Sequence, residues 1–522
     1  MSVLKNKFKR DLWASKGMLF AIIAIITVGV SCMVGMLSTC NNLDIAKQEY
    51  YSKCRMADFW IKVKKAPLTS LETLANIKGV SEIFTSITFP VIVDLKNVDK
   101  PLSGKIISLP DKNSSVVNNI VLRTGSYFSA HRREEVIVSE KFANARNIKP
   151  GSFIHLILNG QRKKLFVAGT AISSEFMYLT PPGSIAPDPD GYGIFWIKDT
   201  YAKDVFDFHG ACNNIIGLFT PQTRENPKPV LEKLSGKLAP YGVFSETILK
   251  NQFSNLALSA EMAGLEHMAT ILPAIFLIVA AMVLNIVMLR MVEQQRGTIG
   301  TLKALGVFNK SILIYFLQFG LFIGLAGGLL GCVLGYYLAY DMTKMYEMFF
   351  TFPDLSNHFF IEVMCIGFGI SIFFSILGTI QGVKKVIKLM PAESMRPNPP
   401  KSYGKILLEK WHYFWNKLDF RWQIIFRNTF RNRIRSIITI IIAALGGAIV
   451  LTSLGLADST HHMLLSQFEK ILLSDYDIAL RDEIDNGALY EIKQLPGVYY
   501  AEPQLKVACT FYKNHHYKKA VI

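Results

Sequence analysis

Few residues in this chain are spaced for catalysis. His461-His462 and His515-His516 are adjacent pairs, and neighbouring side chains point different ways, so they read as surface or interfacial histidines rather than metal ligands. Gly236-Lys237 lacks the upstream glycine and the following hydroxyl of a phosphate-binding loop. Neither H-E-x-x-H nor C-x-x-C occurs. Cys54 and Cys212 share one long segment and could pair in an oxidising compartment, although spacing sets no geometry for them. The chain is therefore expected not to be an enzyme and to hold no metal or cofactor. A mechanical motif is better formed. Glu293–Gly306 has the pattern of a short helix stopped by Gly306, with Glu293, Arg296 and Lys303 on a charged face and Ile299, Leu302 and Leu305 on an apolar one. Such a segment is either a knob for a partner to grip or a plain solvated turn.

The elements around it are membrane spans. Of 522 residues, 50% are hydrophobic and 19% charged, and the mean hydropathy is +0.27. Soluble domains carry about 25% charged residues. Five apolar runs reach the roughly 20 residues that a helix needs to cross a bilayer: 18–37, 268–289, 312–340, 359–382 and 437–456. None holds Lys, Arg or Asp, and Glu362 is the one acidic residue inside them. With no ionisable group at the centre of any run, no ion or proton pathway is visible. The run 312–340 has Gly320, Gly324 and Gly328 on one ladder and Gly327, Gly331 and Gly335 on another, the spacing that lets helix backbones approach closely in lipid. The first run follows Lys5, Lys7, Lys9, Arg10 and Lys16, and is read as a retained anchor rather than a cleaved signal.

The charge sets the orientation. Segments 1–16, 292–310 and 384–435 hold nearly all of the net charge of +17 and fall on one side if every run spans. Positive loops stay in the cytoplasm, so the N-terminus is expected there and the protein in the plasma (inner) membrane as a multi-pass protein. This excess reads as topology and contact with lipid headgroups rather than nucleic-acid binding. The opposite loop, 341–358, has three acidic residues against Lys344. The fold class is thus an α-helical integral membrane protein with about five transmembrane helices and a large extracytoplasmic α/β domain.

Within 40–267, Leu71, Leu74 and Ile77 suggest a short helix ending at Gly79, and 81–95 reads as one strand. Further strands are expected at 134–139 and 164–169, and a helix at 139–147. The proline-rich stretch 180–192 must be a loop. Residues 249–268 read as a helix running straight into the second span, a stalk. The chain also repeats itself. Ala57–Ile61 resembles Ser474–Ile478, and Leu71, Leu74, Ile77, Gly79 and Val80 match Leu489, Ile492, Leu495, Gly497 and Val498 at one offset. Each copy follows an amphipathic lead expected to lie at the interface: Leu4, Phe8 and Leu12 before the first span, and Leu407, Trp411, Phe414 and Leu418, with Trp415 and Trp422 nearby, before the fifth. A strand is expected at 504–512. The second copy ends with the sequence, and its reading frame is expected to continue past Ile522 into a second external domain and about three more spans.

The organisation expected is therefore an interfacial lead and first span at 1–39, an extracytoplasmic core domain with stalk at 40–267, a three-helix membrane domain at 268–396, a basic linker with the fifth span at 397–457, and the start of a second external domain at 458–522.

These residues carry a family resemblance. The stretch from Arg290 through Glu293, Arg296, Gly300 and Lys303 to Gly306 is similar to the first cytoplasmic loop of FtsX-like ABC-transporter permeases, of the macrolide-exporter and lipoprotein-release type. The stretch from Lys388 through Pro391 and Glu393 to Arg396 resembles the segment that closes that domain. Leu122–Gly125, Glu135–Ala143, Ile148–Gly151 and Phe166–Gly169 resemble the core domain of macrolide-exporter-type permeases. The resemblance implies a membrane subunit without its own ATPase. ATP would be bound by a separate cytoplasmic ABC ATPase docking on Glu293, Arg296, Ile299, Lys303, Leu305 and Gly306. The chain would work as a homodimer or pseudo-dimer. The motion would act on a lipid, lipoprotein, peptide or drug; the alternative is a non-transport regulator of a cell-wall hydrolase or sensor kinase.

Overall fold

The computed structural model describes residues 2–95, 98, 102–182, 184, 187–387, 415, 419–431, 433–471, 473–475, 478, 485, 487–504, 508–513 and 516–521. The chain divides into two units, Met1–Ile438 and Thr439–Ile522.

The first unit opens with α1 (Ser2–Ala14) and α2 (Lys16–Cys54). The α/β domain follows: β1 (Phe59–Pro67), α3 (Ser70–Ala75), β2 (Val80–Ser86), β3 (Thr88–Asp94), β4 (Leu102–Leu109), β5 (Ile120–Gly125), β6 (Glu135–Ser139), α4 (Glu140–Ala145), β7 (Phe153–Leu158), β8 (Gln161–Ser173), β9 (Tyr192–Lys198), α5 (Asp199–Phe206), β10 (Ala211–Phe219), α6 (Pro221–Glu225), α7 (Lys228–Leu238) and β11 (Val243–Ile248). The chain then returns through α8 (Phe253–Gln294), α9 (Arg296–Ala304), α10 (Asn309–Phe349) and α11 (Ile361–Ile387), and α12 (Phe420–Arg431) comes after them.

Among the described residues, five helices are long and apolar enough to cross a membrane: α2, α8, α10, α11 and α13 (Arg433–Ser466), which runs across the boundary between the units. The protein is a multi-pass membrane protein with a large α/β region. Three of these helices, α2, α8 and α10, have 39, 42 and 41 residues. At 1.5 Å per residue each is about 60 Å long, twice the hydrocarbon thickness. The sequence places the end of the first span at residue 37, but α2 continues through Asn41, Asn42, Asp44 and Lys47 to Cys54. The boundary between 39 and 40 therefore falls inside a helix. Likewise 341–349, read as loop, is the last part of α10. In both places polar residues end the hydropathic run without ending the helix. The stalk starts with a 3-10 turn at Leu249–Asn251, and α8 proper begins after Gln252, whose side chain accepts from the Asn255 amide.

The α/β domain contains two sheets. The four-stranded one has the order β11-β1-β10-β2, all antiparallel. Since β1 follows α2 and β11 precedes α8, this sheet sits at the head of both helices. The seven-stranded one has the order β5-β8-β6-β9-β4-β3-β7, and β7 also pairs with β8, so the sheet curls back on itself. The single strand read over 81–95 is two strands in different sheets. The chain switches at Ile87, which is fully buried and donates its amide to Ser108 Oγ at 2.9 Å. Strand β8 is longer than the expected 164–169, and the helix of 139–147 is α4, ended by Asn147 at φ 53°. The described residues of 180–191 lie outside any strand.

Cys54 and Cys212 do not pair. Both thiols are free and buried, Cys54 at the end of α2 and Cys212 in the core beneath the four-stranded sheet. The histidines 461 and 462 are exposed on α13, and among the described residues no three potential ligands gather for a metal. In the first lead, Phe8 and Leu12 pack on the bundle core. In the second lead, Leu407, Trp411, Phe414 and Leu418 fall outside the described residues, as does 388–396, while Trp415 is buried and Trp422 exposed.

In the second unit α13 continues to Ser466, followed by α14 (Gly487–Gln494) and a hairpin of β12 (Ala508–Lys513) and β13 (His516–Val521). The strand expected at 504–512 is thus β12, in its described part. The turn after α14 repeats the turn after α3. Leu495 and Val498 donate backbone bonds to Ile492 and Leu495, as Ile77 and Val80 do to Leu74 and Ile77, and Gly497 and Gly79 both have positive φ.

Candidate coupling site

The site is a bent helical joint at one end of a four-helix bundle. Helix α2 packs on α10 and α8, and α11 packs on α10 and α8. The two glycine ladders of α10 serve different neighbours. A Cβ on Gly320, Gly324 or Gly328 would meet Thr379, Ile372 or Ser371 of α11 at 2.2, 3.0 and 2.3 Å. A Cβ on Gly327, Gly331 or Gly335 would meet Ile26, Val30 or Val34 of α2 at 2.9, 2.6 and 2.7 Å. The backbone of α10 is thus held closely between α2 and α11. Gly378 and Gly382 of α11 make similar approaches to Ala281 and Asn285 of α8.

At the base of this bundle α8 ends at Gln294, Gln295 forms the joint, and α9 begins at Arg296. Helix α9 ends in the two bonds of a Schellman turn. The Gly306 amide donates to the Lys303 carbonyl and the Val307 amide to the Leu302 carbonyl, both at 3.0 Å. Gly306 has φ 86°, which a side chain at that position rarely tolerates. Leu302 and Val307 line one small cavity with Ile299, Ile312 and Phe316.

The six residues proposed for contact divide by exposure. Ile299 is buried at 2% in the bundle core beside Met288 and Ile312, so it anchors α9 instead of presenting a surface. Glu293 is exposed in the last turn of α8, and Arg296 and Lys303 are half-buried. Burial pushes the Lys303 amine below its usual value. Leu305 is 76% exposed, and next to it Phe308, which the sequence pattern did not single out, is 79% exposed. Two large apolar side chains are thus exposed on one turn, which makes it a candidate interaction surface.

A second group escaped the sequence reading altogether. Asp11 of α1 accepts from Tyr315 OH at 2.8 Å and from Gln295 Nε2 at 2.9 Å, and pairs with Lys7. Burial raises its carboxyl, but the bonds from Lys7, Tyr315 and Gln295 outweigh that and hold it below the ordinary carboxylate value. The carboxylate is therefore fully ionised at neutral pH, and its contribution is lost only as acid protonates it. Tyr315 and Gln295 lie some 300 residues from Asp11 in sequence, and no local spacing signals them.

The other end of the bundle is a three-helix stalk joined to the α/β domain. Lys47 donates to Ser259 at 3.1 Å and Tyr51 to Asn255 at 3.0 Å, both between α2 and α8. Asn42, 1% exposed, donates to Thr343 and Asn357 and accepts from the His358 amide, tying α2 to α10 and the segment after it. Leu43, Tyr50, Leu258, Tyr346 and Phe350 form one apolar cluster with Ile172 and Met177 of the α/β domain. Arg123 and Lys141 reach backbone carbonyls at 353, 347 and 348. Three helices thus continue from their apolar runs to the α/β domain, and one of them, α8, which has Pro273 inside it, leads directly to the exposed joint.

Residues 270–391 match the family described as FtsX-like permease C-terminal, a segment that holds the membrane part of α8 with α9, α10 and α11. No curated protein matches the chain. Among solved structures, the periplasmic region of MacB from Actinobacillus actinomycetemcomitans is 11% identical, covering 41% of this chain and 98% of its own, with a TM-score of 0.25. The extracellular domain of the noncanonic ABC-type transporter YknZ from Gram-positive bacteria is 13% identical, covering 37% of this chain and 98% of its own, also at 0.25. Scores at that level bear no weight for the fold or the function.

Proposed function

We propose that this chain is the permease subunit of an ABC-type transporter and converts the motion of a separate cytoplasmic ATPase into motion of its α/β domain. The FtsX-like match over 270–391 supports the class. The observation that carries the mechanism is the continuity of α8, 42 residues from the head domain to the joint at Gln295. A helix of that length moves its two ends together if it stays straight, and Pro273 inside it is the one break in its hydrogen-bond ladder.

In this reading the ATPase grips Leu305 and Phe308, with Glu293, Arg296 and Lys303 setting orientation at the rim, since charged rims steer and buried apolar anchors hold. ATP stays on the partner. Closure of two ATPase subunits displaces two copies of α9, and α2, α8 and α10 carry the displacement to the head domain. The basic segments lie in the cytoplasm and the α/β domain outside the plasma membrane, so the work is done on a lipid, lipoprotein, peptide or drug there. Two such bodies act together, as a homodimer or as the two halves of a duplicated chain. The recurrence of the α3 turn after α14 supports duplication.

Two experiments test this. Purified in mild detergent, the protein should bring down a nucleotide-binding ATPase; purification to homogeneity without one contradicts the reading. A membrane-impermeant maleimide should label Ser184→Cys in intact cells and Ser402→Cys only after permeabilisation. Equal labelling of both from outside rules out the orientation.

A further inference from the structure

We infer that α1 is a brace that fixes the angle of α9, with Asp11 as its positioning residue; this rests on the reading of α9 as the ATPase contact. Gln295 is the single residue between α8 and α9, and its backbone leaves the helical path there, at φ −91° and ψ 12°. Both ends of its side-chain amide are held by α1. Its Nε2 donates to Asp11 Oδ2 at 2.9 Å, and its Oε1 accepts from Lys7 Nζ at 2.7 Å. Lys7 and Asp11 are one helical turn apart and 17% and 13% exposed, so the clamp sits largely out of water, where such bonds are stronger.

The clamp is itself fixed to α10. Tyr315 OH donates to Asp11 at 2.8 Å, and Lys7 lies 4.9 Å from the Tyr315 ring centre. Phe8, between the two clamp residues, packs edge-on against Phe319 at 4.5 Å and Tyr315 at 6.2 Å, which fixes the rotation of α1. From Asp11 the chain turns at once into α2: Ser15 donates both its amide and its hydroxyl to the Asp11 carbonyl, at 3.1 and 2.8 Å. Helix α9 cannot pivot about Gln295 without breaking the clamp or carrying α1 with it. Displacement of α9 therefore reaches α2 as well as α8, and both enter the four-stranded sheet through β1 and β11.

The test uses the full chain with its ATPase. Asp11→Ala removes the acceptor, and Gln295→Leu removes both side-chain bonds while leaving the Lys7–Asp11 pair intact. Both are expected to weaken ATPase retention about tenfold, as loss of a charge-assisted bond does, and Asp11→Asn, which keeps an acceptor, to recover most of it. Nitroxide labels at Lys9→Cys and Thr301→Cys should give a narrow distance distribution that broadens in Asp11→Ala and Gln295→Leu, with the melting temperature of the chain little changed. Should Asp11→Ala fail to fold, Gln295→Leu alone decides. Wild-type retention and a narrow distribution in Gln295→Leu overturn the brace. A variant with Glu293 and Arg296 reversed and Leu305→Asp separates the two ideas. If it also keeps the ATPase, the reading of α9 fails; if it loses the ATPase while Gln295→Leu keeps it, only the brace fails.

Discussion

The membrane half of the bundle and the stalk above it are built from the same helices but held in opposite ways. In the membrane, α10 meets α2 and α11 through glycines, backbone against side chain, with Thr27 and Ser371 hydroxyls turned to the carbonyls of Gly327 and Gly324. In the stalk the same helices meet through side-chain pairs such as Lys47–Ser259, Tyr51–Asn255 and Asn42–Thr343. Lipid offers no hydrophobic drive for helix association, so close packing must supply it. Outside lipid, part-buried pairs such as Lys47–Ser259 can exchange with water at little net cost, whereas the buried Asn42–Thr343 pair cannot. The lower part is thus held by close approach at glycines, and the upper part by side-chain bonds and the apolar cluster of Leu43, Tyr50, Leu258, Tyr346 and Phe350.

Substitutions that add a side chain should separate the two regions most strongly. Gly331→Val would push a Cβ to 2.6 Å from that of Val30, and should cost more than about 3 kcal/mol and abolish the monodisperse peak of the detergent-solubilised protein on gel filtration. Asn42→Leu comes next. It leaves the His358 amide and Thr343 without their partner, a cost of about 2 kcal/mol, and should raise hydrogen exchange over 350–360 while leaving the bundle protected. Tyr51→Phe removes one stalk bond, worth about 1 kcal/mol, and should lower the melting temperature only slightly. The smallest effect has the opposite sign. Gly264→Ala lies in the stalk part of α8 with nothing within 4 Å of the new Cβ, so it should stabilise the helix by up to about 1 kcal/mol. A tolerated Gly331→Val, or a Gly264→Ala as damaging as it, would erase the contrast.

What the sequence made legible follows the same division. The ladders of α10 and the stop at Gly306 could be read because a four-residue glycine spacing and a positive φ are local demands. The length of α2 could not, because Asn41, Asn42, Asp44 and Lys47 break the apolar run but not the helix; hydropathy reports the solvent, not the hydrogen-bond ladder. The sheet switch at Ile87 was hidden for a related reason: β-branched residues continue across it on both sides. At the joint, Leu305 and Ile299 shared an apolar face by spacing, yet burial separates them, 76% exposed against 2%. The clamp of Lys7 and Asp11 on Gln295 is a contact across 284 to 288 positions and leaves no local pattern.

The central claim is that the turn at the end of α9 is where an ATPase holds this chain. It is tested most directly by co-purifying the ATPase with the variant in which Glu293 and Arg296 are reversed and Leu305 is aspartate. Loss of an apolar anchor and its oriented rim should reduce retention about thirtyfold or more, with the bundle and head domain still folded. Retention equal to that of the unaltered chain would mean that α9 is a plain solvated turn and that the ATPase, if there is one, holds the protein elsewhere.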